Sequence, residues 1–157
     1  MSDDFEDHAK DELKRADHLI YVTLKYTRTV DVIKNTIKRL ITALDFAIID
    51  ALNHLKAKGK IKEIPAHPTL KANLLLQTLP KSKKALEFYN YLKRIDRAEY
   101  GKKEEYRKNV ALLARESPKS TIEVNVEVLR DLFNKTVVFV NELELLSNGG
   151  KPALHNQ

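Results

Sequence analysis

The sequence predicts an all-α protein, an up-and-down bundle of four principal helices with one or two short extra helices. Apolar residues recur every three or four positions over five stretches of the chain, which is the spacing of a helix with one face against a core. Only residues 121–128 alternate apolar and polar side chains, which favours a short strand or hairpin near residues 121–126. The length of 157 residues suits one core, so we expect one domain over residues 1–147 and a flexible tail over residues 148–157.

A short break separates the first two helices. The apolar stripe of the first helix covers residues 5–26, and residues 27–29 interrupt it. The second helix covers residues 30–55, and Gly59 is placed to end it as a left-handed cap. Three further side chains widen the first stripe, namely Leu19, Val22 and Tyr26. Because the second helix is apolar on more than one face, we expect self-association into a dimer unless the C-terminal helix covers the extra face.

Prolines and glycines divide the second half of the chain. Residues 68–79 fit a short helix before Pro80, and Ser82 is placed as the N-cap of a fourth helix that Gly101 ends or kinks. Three apolar residues then indicate a further helical stretch, namely Tyr106, Val110 and Leu113. Residues 117 and 118, Ser-Pro, end that stretch. The last helix is expected from about Glu127 to Ser147, stopped by Asn148, Gly149 and Gly150.

The charge is distributed unevenly along the chain. The formal net charge is +6, yet residues 1–13 hold six acidic residues and one lysine, whereas residues 56–84 hold eight lysines and one glutamate. Clustered lysines attract polyanions or acidic protein surfaces. The alternative is a solvated loop that only keeps the surface soluble. The predicted anion or nucleic-acid contacts are Lys56, Lys58, Lys60, Lys62, Lys81, Lys83 and Lys84.

Composition and motifs exclude several classes of chemistry. The chain has no cysteine, so thiol chemistry and disulfides are excluded and a reducing, cytoplasmic location is expected. The acidic start is the reverse of a signal peptide, and no stretch is apolar enough to span a membrane. The only adjacent glycines, Gly149 and Gly150, follow no strand, so a phosphate-binding loop is excluded. The sequence therefore predicts no cofactor.

Histidines give the few candidates for metal binding or catalysis. On the first helix His8 lies at helical spacing from acidic residues, and on the second helix Asp50 precedes His54 by four residues. Neither has a metal-binding motif, and a solvated polar face explains both, so no metal is predicted. His67 is the one catalytic candidate because it stands in a proline-bounded loop beside the lysines; an ordinary loop histidine is the alternative. The acidic neighbours of His8 are Asp4, Asp11 and Glu12.

Tyrosines among basic residues offer a second hypothesis for nucleic-acid binding. Four tyrosines between residues 89 and 106 alternate with lysines and arginines, a mixture that can stack bases and hold phosphates. Intervening acidic residues reduce the charge, and packing at the edge of the core is the alternative. The four are Tyr89, Tyr91, Tyr100 and Tyr106.

Two segments resemble a known family. Residues 12–24, E-L-K-R-A-D-H-L-I-Y-V-T-L, and residues 32–52, V-I-K-N-T-I-K-R-L-I-T-A-L-D-F-A-I-I-D-A-L, are similar to the opening helix pair of HEPN-type bundles, especially uncharacterised archaeal members. The later E-S-P before an alternating stretch and a final helix is also similar. Catalytic members are metal-independent ribonucleases in which four to six residues separate an arginine from a following histidine, and no histidine of this chain has an arginine at that spacing. The resemblance therefore implies RNA or partner binding and dimerisation rather than catalysis.

These observations favour a non-enzymatic binding or scaffold protein that acts through a protein partner or self-association, with the lysine-rich segment as an accessory anion contact. The alternative is an RNA-associated HEPN-like protein, such as a degenerate ribonuclease. Any nucleic-acid binding is expected to be weak, tolerant of sequence and carried by the lysines.

Overall fold

The computed structural model describes residues 7–148. Over these residues the chain forms five α-helices and one three-stranded antiparallel sheet. The helices are α1 His8–His18, α2 Val30–Ala57, α3 Pro68–Thr78, α4 Lys83–Arg97 and α5 Val126–Ser147. The strands are β1 Glu99–Lys103, β2 Ala111–Ser117 and β3 Ser120–Asn125, in the spatial order β1-β2-β3. Helix α1 continues through a π-helical turn, Leu19–Thr23, and one more helical turn, Leu24–Tyr26.

The prediction of an all-α four-helix bundle is wrong, because a sheet lies between α4 and α5. The stretch read as helix around Tyr106 and Leu113 is largely strand β2, and Gly101 lies in β1 rather than at the end of α4. Residues 110–112 are all buried. A central strand that is covered on both faces buries consecutive residues, whereas an amphipathic helix does not, so the helical spacing of these residues led to a wrong prediction. The short strand expected near residues 121–126 is present as β3.

Helix α2 is the centre of the core. Helices α1 and α5 pack along it, with α3, α4 and the central strand completing its surroundings. Four isoleucines, Ile33, Ile41, Ile48 and Ile49, place apolar surface on more than one face of α2. Ile33 and Ile48 are buried, whereas Ile41 and Ile49 are only partly buried. The C-terminal helix α5 packs along α2 and covers part of this surface within one chain. Dimerisation stays a prediction.

The ends of the long helices follow local sequence rules. Thr29 caps α2 by accepting a hydrogen bond from the Val32 N–H, and Asn125 caps α5 in the same way. Gly59, with φ of 75°, ends α2 as predicted: its N–H donates to the Lys56 carbonyl and the Lys60 N–H to that of Leu55. Ser82 is not the predicted side-chain cap, because its hydroxyl donates back to the Leu79 carbonyl at 2.6 Å.

Some predictions fall on residues that the structure does not describe. These are the beginning of the first stripe at Phe5, the acidic residues Asp3, Asp4 and Glu6, the C-terminal glycines Gly149 and Gly150, and all of the predicted tail except Asn148. Within residues 7–148, no helix combines the length and the apolar character that crossing a membrane requires.

Candidate functional site

The fold brings the two groups of predicted lysines to the same end of the helical layer. Asp96 on α4 pairs with Lys34 near the beginning of α2, whereas Tyr89 on α4 contacts Asp45 further along α2. Helix α4 therefore runs antiparallel to α2, and its first residues lie level with the C-terminal turns of α2. We call this region, formed by Lys56, Lys60, Lys62, Lys81, Lys83 and Lys84, the lysine end; all six side chains are exposed.

Lys58 differs from these six lysines. Its Nζ donates to the carbonyl of Ser147 at 2.7 Å, at the C-terminal end of α5. A cation at this position satisfies a carbonyl that the helix leaves free and interacts well with the helix dipole. Lys58 therefore fastens the ends of α2 and α5 together. The other six lysines form no ion pair with any described residue, so their charges face solvent.

An apolar groove on α3 lies between the two lysine groups in sequence. Only Ala72 and Leu75 of α3 are buried, while Leu70 is 54% and Leu76 is 38% exposed. The groove has a volume of about 520 Å³ and is open to solvent. It is lined by Pro65, Leu70, Asn73, Leu74, Leu76 and Gln77. The sequence analysis described this helix but did not identify the groove, because leucines at helical spacing indicate core.

His67, the catalytic candidate, has a structural role at the beginning of α3. Its Nδ1 accepts a hydrogen bond from the Thr69 N–H at 3.1 Å, which caps the helix before Pro68. With Nδ1 as acceptor, the neutral ring carries its proton on Nε2. The ring is exposed and does not line the groove.

The histidines of the two predicted polar faces, His8 and His54, both act on Asp50. Partial desolvation, with added repulsion from Asp7, raises the pKa of Asp50, and the positive potential of His54 and His8 opposes this. Glu12 is buried and bound to Arg15 at 2.6 Å and Arg39 at 3.1 Å, so it cannot join a site with His8. Among the described residues no group of three or more potential ligands is arranged to hold a metal ion.

The four tyrosines of the nucleic-acid hypothesis separate in the structure. Tyr89 is 1% exposed and belongs to the core. Tyr91 is half-buried with the Arg94 guanidinium 5.6 Å from its ring. Tyr100 is 40% exposed, with Lys34 5.0 Å from its ring, and Tyr106 is 75% exposed. Tyr106 is thus the one of the four that offers a largely free ring.

Sequence reasoning missed two exposed residues at the end of the first helix. Val22 and Tyr26 were placed in the apolar stripe, but they are 42% and 83% exposed. The π-helical turn at Leu19–Thr23 changes the angular spacing, so the stripe cannot be continued at the ordinary helical period. The signal that could have identified Tyr26 as a surface residue is its basic neighbourhood, because it lies between Lys25 and Arg28.

A hydrogen-bonded pair, the buried Tyr89 and the half-buried Asp45, was also missed. The Tyr89 hydroxyl donates to Asp45 Oδ1 at 2.5 Å, and the Lys93 ammonium lies 4.8 Å from the centre of the tyrosine ring. Burial raises the pKa of Asp45, while the hydrogen bond from Tyr89 and the charges of Lys93 and Lys71 lower it. Burial, together with the hydrogen bond and charge of Asp45, raises the pKa of Tyr89. No substrate reaches the tyrosine, so this pair joins α2 to α4.

Comparisons of the chain with protein-family models, with curated proteins and with solved structures find no match. The resemblance to HEPN-type bundles therefore rests on the sequence segments given above and stays a prediction.

Proposed function

We propose that this protein is a non-enzymatic binding module that docks an acidic, amphipathic segment of a partner protein at the groove of α3 and the lysine end. The observation that carries the proposal is the pair of exposed leucines, Leu70 and Leu76, on a helix flanked in the chain by unpaired lysines. A cytoplasmic location accompanies this proposal and is supported by the cysteine-free sequence.

The apolar part of the interface supports the helical form of the partner. Exposed leucines on a groove form the type of surface into which an amphipathic helix lays its apolar face. Each leucine that is half exposed in the free protein gains by being covered, because apolar surface leaves water. The open shape of the groove suits an elongated side-chain row rather than an enclosed small molecule.

The charged part of the interface supports an acidic partner. Glu63 is the only acidic residue between residues 56 and 84, so the rim of the groove is positive. Rim charges act mainly on the association rate and on the choice of partner. We therefore expect binding to weaken as the salt concentration rises.

The test uses two labelled synthetic helical peptides with leucines on one face, one with glutamates and one with lysines on the other face. Fluorescence anisotropy should show binding of the acidic peptide only. Changing Leu70→Ser and Leu76→Ser together should weaken it about tenfold or more, since one tenfold step is about 1.4 kcal/mol. The matched control is Val22→Ser with Val138→Ser, whose side chains are 42% and 60% exposed and lie outside the last turn of α5.

A second variant tests the charges. Lys60→Glu with Lys62→Glu should weaken binding of the acidic peptide, whereas Lys14→Glu with Lys119→Glu should not. Lys58 is left unchanged because it holds α5. Equal losses in the test and control pairs would contradict the proposal, as would equal affinity for both peptides. If light scattering shows that the leucine change turns a dimer into a monomer, the groove binds a second copy and the partner proposed here is wrong.

A further inference from the structure

The opposite end of the helical layer carries a second unusual surface. Here the first helix ends, α2 begins, and the loop between β1 and β2 folds over the junction. Two tyrosines at this place are among the most exposed large side chains of the described residues: Tyr26 at 83% and Tyr106 at 75%. Tyr21 is 43% exposed, with the Arg130 guanidinium 5.3 Å from its ring.

Hydrogen bonds hold the two most exposed tyrosines near each other. The Tyr106 N–H donates to the Arg28 carbonyl at 2.6 Å, and the neighbouring Glu105 carboxylate accepts from the Val30 N–H at 2.7 Å. Because Tyr26 precedes Arg28 by only two residues, the Cα atoms of Tyr26 and Tyr106 lie within roughly 12 Å of each other. Two exposed tyrosines whose Cα atoms are this close can be reached together by one short single strand.

Rare backbone conformations are concentrated at this end. Among the described residues, the two non-glycine residues with positive φ are Glu104 at 49° and Tyr106 at 66°. The π-helical turn Leu19–Thr23 precedes Tyr26 directly. Such conformations persist when the surrounding structure holds them, and they are frequent at functional sites. The Tyr106 N–H is bound to the Arg28 carbonyl just before α2, while the Tyr106 side chain remains 75% exposed.

The charge around the tyrosines is positive and unpaired. Five cations of this end form no ion pair with an acidic side chain. They are Lys25, Arg28, Arg107, Lys108 and Arg130. The acidic residues close to these cations in the chain are Asp31, Glu104, Glu105, Glu127 and Asp131. Glu105 is occupied by the Val30 N–H and by Lys102 at 3.8 Å, and Asp131 by Lys135 at 3.3 Å. We call these cations, with Tyr21, Tyr26 and Tyr106, the tyrosine end.

We propose that the tyrosine end binds single-stranded nucleic acid, with bases stacked on Tyr26 and Tyr106 and phosphates held by the surrounding cations. Aromatic rings accept any base on their faces, and cations neutralise the backbone, so this combination binds single strands with little sequence preference. The exposed groups here are rings and cations, whereas the groove of α3 offers aliphatic side chains. This difference favours a nucleic acid at the tyrosine end and a protein at the groove.

The stacking is tested with fluorescein-labelled oligouridine and oligothymidine at low salt. Tyr26→Ala with Tyr106→Asn should weaken binding about tenfold or more for each ring removed; asparagine is chosen at position 106 because it tolerates a positive φ. Tyr26→Phe with Tyr106→Phe should retain the affinity within about twofold. The two oligonucleotides distinguish RNA from DNA as the better ligand, and a labelled duplex of the same length should bind more weakly.

The charges are tested by the dependence of affinity on salt. Arg107→Gln with Lys108→Gln should lower the salt slope by about 0.7 for each cation removed, the value for a single strand. Lys83→Gln with Lys84→Gln removes the same charge at the lysine end and should leave the slope unchanged. Leu70→Ser with Leu76→Ser should weaken the acidic peptide but not the oligonucleotide, so this inference and the proposed function fail independently.

Three results would overturn the inference. The first is that neither oligonucleotide binds at low salt. The second is that both oligonucleotides bind equally well to the variant that lacks the two rings. The third is that the lysine pair, rather than Arg107 and Lys108, carries the salt slope. That last result would support the lysine-carried binding that the sequence alone predicts.

Discussion

The hydrogen bond between Tyr89 and Asp45 gives a sharp test of how α2 and α4 are held together. Replacing Tyr89 by phenylalanine removes one oxygen atom from a residue that is 1% exposed and leaves the ring in place. The change therefore creates almost no cavity, but Asp45 loses a donor at 2.5 Å. A hydrogen bond to a charged group contributes about 1.5–3 kcal/mol, so we expect the free energy of unfolding to fall by about 2 kcal/mol at pH 7.

The cost of Tyr89→Phe should decrease on both sides of neutral pH. Burial already raises the pKa of Asp45 from 3.8, and losing the tyrosine donor raises it further. A folded state that binds the proton more tightly gains stability as the pH falls through that raised pKa toward 3.8. In this pH range the Tyr89→Phe variant gains more stability than the parent protein, because its Asp45 carboxyl group accepts a proton more readily. The difference between the two proteins should therefore shrink as the pH falls from neutral toward 3.8.

At alkaline pH the tyrosine itself titrates. The pKa of Tyr89 is raised above its ordinary value of 10.0, so the unfolded chain loses this proton before the folded protein does. Stability contributed by the protonated tyrosine is complete below pH 10 and is lost at about 1.4 kcal/mol per pH unit above it. The phenylalanine variant has no such proton. Its disadvantage should therefore disappear within about two pH units above 10.

The assay is urea unfolding followed by far-ultraviolet circular dichroism at pH 5, 7, 9 and 10.5. Asp45→Asn is the matched control, since its amide oxygen still accepts from Tyr89 but carries no titrating charge. It should abolish the acid dependence that comes from Asp45, and it should reduce the alkaline dependence without removing it, because burial still raises the pKa of Tyr89. A Tyr89→Phe difference that is close to zero, or the same at every pH, would refute the hydrogen bond as the link between α2 and α4.

Two further predictions concern the ends of α2. Gly59→Ala should lower the free energy of unfolding by about 1 kcal/mol, because φ is 75° there. Gly101→Ala is the control and should be nearly neutral, since its φ is not positive and no atom lies within 4 Å of the added methyl group. Thermal unfolding measures both variants, and equal effects would contradict the left-handed cap. Glu105→Gln should cost about 1 kcal/mol because the carboxylate at the Val30 N–H also favours the positive end of the helix dipole. Glu104→Gln, which changes an exposed side chain, is the control for Glu105→Gln. A loss of stability in the Glu104 variant alone would refute the role of Glu105 at the beginning of α2.

The elements that sequence reasoning found are those that local signals determine. Helix α2 has apolar residues at a helical period, a threonine cap at Thr29 and a glycine stop at Gly59, and each signal lies within a few residues of the end it marks. Strand β3 showed its alternation directly. Strand β1 gave no signal, because its sequence Glu-Tyr-Gly-Lys-Lys is almost entirely exposed at the edge of the sheet. Edge strands of this type are defined by their pairing partner and not by burial.

The candidate surfaces were predictable to different extents. The lysine end follows from a count of charges, although only the antiparallel course of α4 brings Lys83 and Lys84 to the same end as Lys56. The role of Lys58 could not be predicted, since Ser147, its acceptor, is 89 positions away. The groove of α3 was hidden because an exposed and a buried leucine look alike in a sequence.

The tyrosine end could not be predicted from the sequence, because its residues are brought together only by the fold. Glu105 and Val30 are 75 positions apart, yet the carboxylate completes the beginning of α2. Once Glu105 is fixed there, the next residue must lie against Arg28, and its N–H has the Arg28 carbonyl as acceptor. Tyr106 is thereby held two residues from Tyr26 along this hydrogen bond, and its side chain is 75% exposed. If this contact positions the ring, Glu105→Gln should weaken oligonucleotide binding in parallel with its loss of stability, although Glu105 itself binds no phosphate. Tyr26→Ala should weaken binding without any loss of stability, because the ring is 83% exposed.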